Sequence, residues 1–218
     1  MSRPDRRTRR RRPGQLTVAT AAAALLCGVW LIKAGATTAH PPQPEPSAGP
    51  PAAAAGVAPQ AAPGPALAPS PPVRLRIPAI AVNARVAPVT VDGAGQLGTP
   101  PTGRHDLTGW YQDGASPGAR GVAVIVGHVD DQRGPSVFYL LGRLRPGRTI
   151  SVTRADEHTA TFTVDSVRSY PKAAFPSRQV YAPTGRAELR LITCGGQYDH
   201  RTGYQSNIVV SAHLTSTR

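Results

Sequence analysis

The stretch RLITCGG, residues 190–196, ends an alternating run on a cysteine and then interrupts it with two glycines. The run is part of AELRLITC, and side chains alternate between the two faces of a β-strand. One face therefore holds leucines and a threonine, whereas the other holds Arg190, Ile192 and Cys194. We predict a strand that displays a thiol at its carboxyl end, where backbone pairing can stop and the side chain can face a groove.

A second apolar run, GVAVIVGH at residues 121–128, is typical of a central strand that is covered on both faces. His128 follows the end of this strand. Further short β-branched runs occur at VRLRIPAIAVNARVAPVTV, TISVTRA, TATFTVDSVRSY and NIVVSAHL, with glycine- or proline-containing turns between them. Since no segment shows a sustained helical period, the pattern predicts an all-β domain, either a sandwich or a barrel.

The N-terminal third has a different composition. Residues 1–15 form a basic tail with seven arginines, and residues 16–33 form an apolar segment that ends at Lys33. An apolar run of this length is at the short end for a transmembrane helix, and the arginines orient its N-terminus to the cytoplasm. The same pattern also fits a cleaved signal peptide. In both cases the rest of the chain is exported.

Residues 34–72 are rich in proline and alanine, which predicts a disordered, extended extracellular linker. The remaining residues, 73–218, are enough for one domain with its own core. The net charge is +13, of which the arginine tail with its one aspartate supplies +6, and about +7 is spread over the linker and the domain. Because basic residues do not alternate with aromatic residues and the domain is exported, we expect no nucleic-acid partner.

Cysteine is a useful nucleophile only as a thiolate, and histidine is the side chain best suited to assist it. The alternative is that Cys194 is a small buried apolar residue, as free cysteines often are. Its only possible disulfide partner, Cys27, lies in the apolar N-terminal segment, which excludes a disulfide. No cysteine or histidine spacing is typical of a zinc site, so we expect neither a metal nor another cofactor.

Several separated motifs resemble the sortases, which are cysteine transpeptidases of Gram-positive cell surfaces. The motif LITC at residues 191–194 is similar to the sortase signature around the nucleophile, and GHVD at residues 127–130 resembles the upstream histidine motif. The segments RIPAIAVNARV, GWY, PGARGVAVIVGHVD and NIVVSA are similar to the class F branch found in actinobacteria. The resemblance extends over essentially all of residues 73–214.

This resemblance implies a closed or nearly closed eight-stranded β-barrel with short helices in its loops. It also implies that Cys194 attacks an LPXTG-like sorting signal on a surface protein and forms a thioester. His128 would protonate the leaving amine and then deprotonate the acceptor amine, which belongs to a peptidoglycan precursor or another wall component. Such an enzyme is a single-pass protein of the cell membrane with its catalytic domain outside.

Sortases commonly use an arginine as a third catalytic residue, on the strand after the cysteine. The corresponding stretch here, GYQSNIVV, contains none. We predict Arg190 for this role, although its Cα lies roughly 13 Å from that of Cys194 along an extended strand. Arg201 and Gln205 remain alternatives. If the thiol serves only packing, the alternative function is a non-catalytic exported β-domain that binds wall or peptide ligands.

Overall fold

β-strands dominate the computed structural model, which describes residues 40–45, 66–182 and 184–218. The strands are β1 (Pro72–Ile77), β2 (Val82–Val89), β3 (Leu107–Tyr111), β4 (Gly121–Val126), β5 (Asp130–Asp131), β6 (Gly134–Pro135), β7 (Thr149–Arg154), β8 (Thr159–Pro171), β9 (Ala187–Asp199) and β10 (Gly203–Thr217). Helical segments are short, and they are α1 (Ser177–Tyr181) and the 3-10 turns Pro78–Ile80, Leu141–Arg143 and Lys172–Ala174. The predicted all-β class with short helices in loops is confirmed.

Eight of these strands close into a barrel in the order β1-β2-β3-β4-β9-β10-β8-β7. The barrel closes where β7 pairs with β1, for example with Leu75 opposite Val152. Closure gives each of these eight strands a partner on both sides, so the described barrel has no open edge strand. Strands β5 and β6 form a separate two-stranded ribbon. The residue pattern had allowed a sandwich or a barrel, and the closed barrel is the outcome that the family resemblance implied.

The basic tail predicted over residues 1–15 and the apolar segment predicted over 16–33 lie outside the described residues. Much of the predicted linker also lies outside them. Within the described ranges, no helix is long and apolar enough to cross a membrane. The membrane anchor and the domain boundaries therefore stay predictions.

Strand β4 is apolar because both of its faces are covered. Ala123 and Ile125 lie in the main core, which fills the barrel together with the inward-facing leucines of β9. Val124 and Val126 instead belong to a second cluster that includes Ile192 and, from α1, Val180. The prediction from the run GVAVIV is confirmed, and the predicted alternation of β9 between two faces is confirmed as well.

Strands β4 and β9 are parallel neighbours, although more than fifty residues separate them in the chain. The pairing runs in register as far as Val126 and Ile192. The prediction that the strand ends at Cys194 is wrong, since β9 continues to Asp199 and Cys194 itself pairs with Asn207 of β10. What stops near Cys194 is the pairing with β4, because β4 ends at Val126. His128 and Cys194 each lie two residues beyond this last pair.

Candidate active site

His128 and Cys194 each lie two residues beyond the last pair of the β4–β9 ladder, His128 after the end of β4 and Cys194 within β9. Val126 is paired with Ile192, and the N–H of Gly127 donates to the carbonyl oxygen of Ile192 at 3.2 Å. Continuing this register by two residues places His128 next to Cys194 and on the same face, at about the 4.8 Å spacing of neighbouring strands. Both residues are half-buried, so each is partly open to solvent.

The imidazole of His128 is held by a backbone contact. Its Nε2 lies 2.7 Å from the carbonyl oxygen of Pro100. Because a carbonyl oxygen can only accept, Nε2 carries the proton and donates to Pro100 in this arrangement. The backbone is held too, since the N–H of Phe138 donates to the carbonyl oxygen of His128 at 3.0 Å. Nδ1 is consequently the ring nitrogen left to exchange a proton with a nearby group.

Asn207 lies on the other side of Cys194. Strands β9 and β10 are antiparallel, and Asn207 is the residue directly opposite Cys194. Directly opposed residues share a face, with their Cβ atoms about 4.5–5.5 Å apart. Asn207 is half-buried, and its amide makes no side-chain hydrogen bond within the described part of the chain. His128, Cys194 and Asn207 thus form one row across three neighbouring strands.

No local pattern in the sequence marks Asn207 as a neighbour of Cys194. A register shift between Tyr204 and Ser206 changes which residue of β10 faces Cys194. Such a bulge cannot be located from the alternation of residues alone. The order of the motifs limited the search to GYQSNIVV, but only the strand pairing selects the asparagine within it.

Arg190 shares a face with Cys194 as predicted, but its guanidinium has other partners. Nη2 donates to Oε2 of Glu188 at 2.6 Å, and Nε donates to the carbonyl oxygen of Val180 at 3.0 Å. These contacts place the guanidinium beside Glu188, which lies farther from Cys194 along β9 than Arg190 itself. Arg190 therefore holds α1 against β9 through Val180, and the structure does not bring its guanidinium to the thiol.

The other two candidates also lie apart from the row. Arg201 is exposed in the turn between β9 and β10, where its N–H donates to the carboxylate of Asp199. The side-chain amide of Gln205 donates to Thr202 Oγ1 at 2.6 Å and to the carbonyl oxygen of Gly203 at 2.9 Å. Both contacts stabilise the turn, and neither involves Cys194.

A model of the sortase domain matches residues 75–215, and this range includes the whole row. The chain belongs to the sortase family. It is therefore an enzyme, a cysteine transpeptidase, rather than the non-catalytic binding domain considered as the alternative. Membership in this family implies a protein substrate with a sorting signal and an amine acceptor.

Solved sortase structures share the barrel. Sortase A from Listeria monocytogenes is 20% identical with a TM-score of 0.51, and the match covers 67% of this chain and 89% of that one. A lid mutant of sortase A from Corynebacterium diphtheriae is 21% identical with a TM-score of 0.52, covering 68% and 73%. The SrtA sortase from Actinomyces oris is 20% identical with a TM-score of 0.52, covering 67% and 81%. At these identities the likeness shows the fold alone. No curated protein sequence matches the chain.

The two carboxylates that follow His128 in this sortase stabilise loops rather than the imidazole. Asp131 accepts from His105 at 2.8 Å and from the N–H of Gly103 at 2.9 Å. The hydrogen bond with His105 lowers the pKa of Asp131 below its ordinary value. Asp130 accepts from the hydroxyl of Tyr204, and burial together with this bond raises the pKa of Tyr204. The Asp130–Tyr204 contact ties the loop after His128 to the start of β10.

Glu188 forms a buried ionic cluster beneath the outer face of the sortase. Its Oε2 forms an ion pair with Nη2 of Arg190 at 2.6 Å, and its Oε1 forms one with Nε of Arg186 at 2.7 Å. The glutamate side chain is only 3% exposed. Burial by itself raises the pKa of Glu188, but the hydrogen bonds from the two arginines outweigh it and lower that pKa below 4.5. The folded state therefore binds the deprotonated form more favourably than the unfolded chain does.

We expect Glu188→Gln to lower the free energy of unfolding at pH 7 by about 3 kcal/mol, because the buried Arg190 and the half-buried Arg186 lose their counter-charge. The carboxylate contributes fully above pH 4.5, and this contribution is lost as the pH falls through the lower pKa of the folded state. Urea unfolding of both proteins at pH 7 and at pH 3.5 measures the difference. Glu157→Gln, at an exposed turn, is the control. A difference that does not shrink at the lower pH would contradict the charge argument.

Proposed function

We propose that this sortase is a class F enzyme, anchored in the cell membrane, that attaches surface proteins to the cell wall. The observation that carries the proposal is the parallel pairing of β4 with β9 up to Val126 and Ile192, whose continuation by two residues places His128 next to Cys194. The class assignment rests on the segments around GWY, PGARGVAVIVGHVD and NIVVSA. The anchor rests on the arginine tail followed by an uncharged apolar segment, which orients the catalytic domain to the outside.

In the first half of the reaction, Sγ of Cys194 attacks the threonine carbonyl carbon of an LPXTG-like signal. A C–S bond forms, the amide C–N bond breaks, and the departing amine takes a proton from His128. The product is a thioester between the substrate and the enzyme. This step divides one difficult amide exchange into two easier acyl transfers.

In the second half, an amine of a peptidoglycan precursor or another wall component attacks the thioester. Its nitrogen forms the new amide bond, and the C–S bond breaks to regenerate the thiolate. His128 takes the proton that the attacking amine loses. The hydrogen bond that Nε2 of His128 donates to the carbonyl oxygen of Pro100 keeps the imidazole oriented during both halves of the reaction.

We assign the third role to Asn207 in place of Arg190. The tetrahedral intermediate carries an oxyanion, and a hydrogen-bond donor already placed next to the nucleophile stabilises it. Asn207 is opposite Cys194 and its amide has no side-chain partner in the described ranges. A carboxamide is neutral, so this enzyme would stabilise the oxyanion with a dipole where other sortases use a charge.

We expect Asn207→Ala to lower kcat of acyl-enzyme formation about 100-fold with little change in KM, because the amide acts mainly on the transition state. Single-turnover kinetics with a fluorogenic LPXTG-type peptide measures this. Asn83→Ala is the matched control, since Asn83 is exposed on β2 and accepts only from Arg74. If Arg190→Lys lowered kcat as strongly as Asn207→Ala, with folding unchanged, the arginine would be the better assignment.

The test of the function itself is to trap the acyl-enzyme. The full-length protein is incubated with LPXTG-type peptides, quenched in acid, and digested for mass spectrometry. We expect the acyl mass on the peptide that contains Cys194 and its release when an amine is added. No adduct across a library of varied sorting signals would contradict the proposed reaction.

A further inference from the structure

A short proline-rich segment of the chain lies against the rim of the barrel beside the catalytic cysteine. The segment is PPQPE, residues 41–45, which falls within the stretch predicted as an extended linker. Pro41 is buried, and Pro42 and Pro44 are half-buried. The five residues belong to the same compact unit as the barrel. Burial of a linker residue requires a surface that fits it.

Two polar contacts hold this segment. Oε1 of Gln43 accepts from the N–H of Gly196 at 2.9 Å. Glu45 forms an ion pair with Arg145 at 2.9 Å, although both side chains are largely exposed. The amide nitrogen of Gln43 also donates to the carbonyl oxygen of Pro41 at 3.0 Å, which holds the glutamine with its oxygen toward Gly196.

Gly142 gives the segment room to approach. A Cβ added to Gly142 would lie 2.0 Å from the carbonyl oxygen of Pro42, which is far inside the van der Waals limit. The 3-10 turn Leu141–Arg143 therefore accepts the segment only because it carries a glycine at this position. We call the surface formed by residues 141–145 and by Gly195–Gly196 the rim groove.

The chemistry of the segment suits a groove of this kind. Three of its residues are prolines, which favour an extended polyproline conformation and lose little conformational entropy on binding. Proline has no N–H, so binding leaves few backbone donors to satisfy. The glutamine oxygen supplies the one acceptor that the Gly196 N–H needs. An acidic residue then meets the arginine at the far end.

We propose that the rim groove is a peptide-binding surface occupied in the free enzyme by Pro41–Glu45 of the same chain. Gly195 and Gly196 directly follow Cys194, so this occupant engages a backbone donor two residues from the nucleophile. A substrate chain approaching the thiol along this side must displace the segment. The docking stands on the contacts alone, whereas the competition with substrate rests on the proposed function.

Hydrogen exchange at the Gly196 amide in the full-length protein tests the docking without measuring activity. We expect exchange to be about 3- to 10-fold faster in Gln43→Ala, the factor expected from one net hydrogen bond. Gly142→Ala should have at least this effect by steric exclusion. The controls are Gln96→Ala, at an exposed loop, and Gly93→Ala, where an added Cβ meets nothing within 4 Å. Unchanged exchange at Gly196 in both test variants would overturn the proposal.

Adding the synthetic peptide HPPQPE to Gln43→Ala separates the possible occupants. Restored protection of Gly196 supports a groove that accepts this chemistry. Protection in the wild type that falls on dilution would overturn binding within one chain and indicate exchange between two copies.

The rate of acyl-enzyme formation tests the competition. We expect Gln43→Ala and Gly142→Ala to acylate about 3- to 10-fold faster than the wild type, in line with their exchange rates. Faster exchange with unchanged acylation would overturn the competition. Absence of acylation in every variant would refute the proposed function together with the competition, and the exchange rates would still decide the docking.

Discussion

Cys194→Ala should lower kcat/KM for cleavage of an LPXTG-type peptide by at least about 10⁴-fold, since removal of a catalytic nucleophile leaves only binding and electrostatic contributions. Within the row, Cys194 is the proposed nucleophile, whereas His128 and Asn207 are proposed as proton carrier and hydrogen-bond donor. A fluorogenic peptide assay on the full-length protein measures the loss. The acyl mass on the Cys194 peptide should disappear at the same time.

The chain offers a matched control for this experiment. Cys27 is its other cysteine, and it lies in the apolar N-terminal segment. Cys27→Ala should retain activity within about twofold, the small change typical of positions outside a site. Activity that survived in Cys194→Ala and vanished in Cys27→Ala would refute the assignment of the nucleophile.

His128→Ala should lower the rate of acyl transfer about 10²- to 10⁴-fold, the range that general acid–base catalysis contributes. Without the imidazole, the leaving amine has no positioned proton donor and the acceptor amine has no positioned base. Stopped-flow measurement of both half-reactions, with the acceptor varied, locates the loss. Both half-reactions should slow, because the same side chain acts in each.

His158→Ala is the control for His128, since His158 is exposed and its Nδ1 contacts only Asp156 in the turn between β7 and β8. It should leave both rates within about twofold. If His128→Ala slowed only the second half-reaction, another group would have to protonate the leaving amine. If His128→Ala slowed neither half-reaction, His128 would have no role in catalysis despite its place next to Cys194.

The two proposed catalytic positions were predicted from their local patterns together with the resemblance of the motifs LITC and GHVD to those of sortases. The run GVAVIVGH is apolar on both faces and ends at His128, and AELRLITC alternates and ends at Cys194. Both patterns follow from the fixed period of a strand, so burial on the two faces can be read along the chain. The outer cluster with Val124 and Ile192 confirms that reading.

The third position could not be predicted in the same way. Arg190 has the expected charge and the expected face, but Glu188 and the carbonyl oxygen of Val180 bind its guanidinium. Asn207 faces Cys194 only because of the register shift in β10. The sequence of one strand does not show which residue pairs with a charged side chain on it. Nor does it show where the register of the neighbouring strand shifts.

The linker shows the same limit. Composition predicts an extended conformation for residues 34–72 because prolines and alanines bury too little apolar surface to fold by themselves. Composition does not reveal that Gly142 leaves a space into which Pro42 fits, or that Gly196 presents an unpaired N–H to Gln43. Both features belong to a surface assembled from distant parts of the chain.

The sequence by itself predicted the all-β class and the two faces of β9, since both depend on near neighbours in the chain. Its motifs singled out the thiol and the imidazole through their resemblance to those of sortases. Only the tertiary structure decided that β4 and β9 are parallel neighbours, that Asn207 completes the row, and that Pro41–Glu45 occupies the rim groove. The physical reason is that backbone pairing between distant strands depends on closure of the whole barrel, which no local pattern encodes.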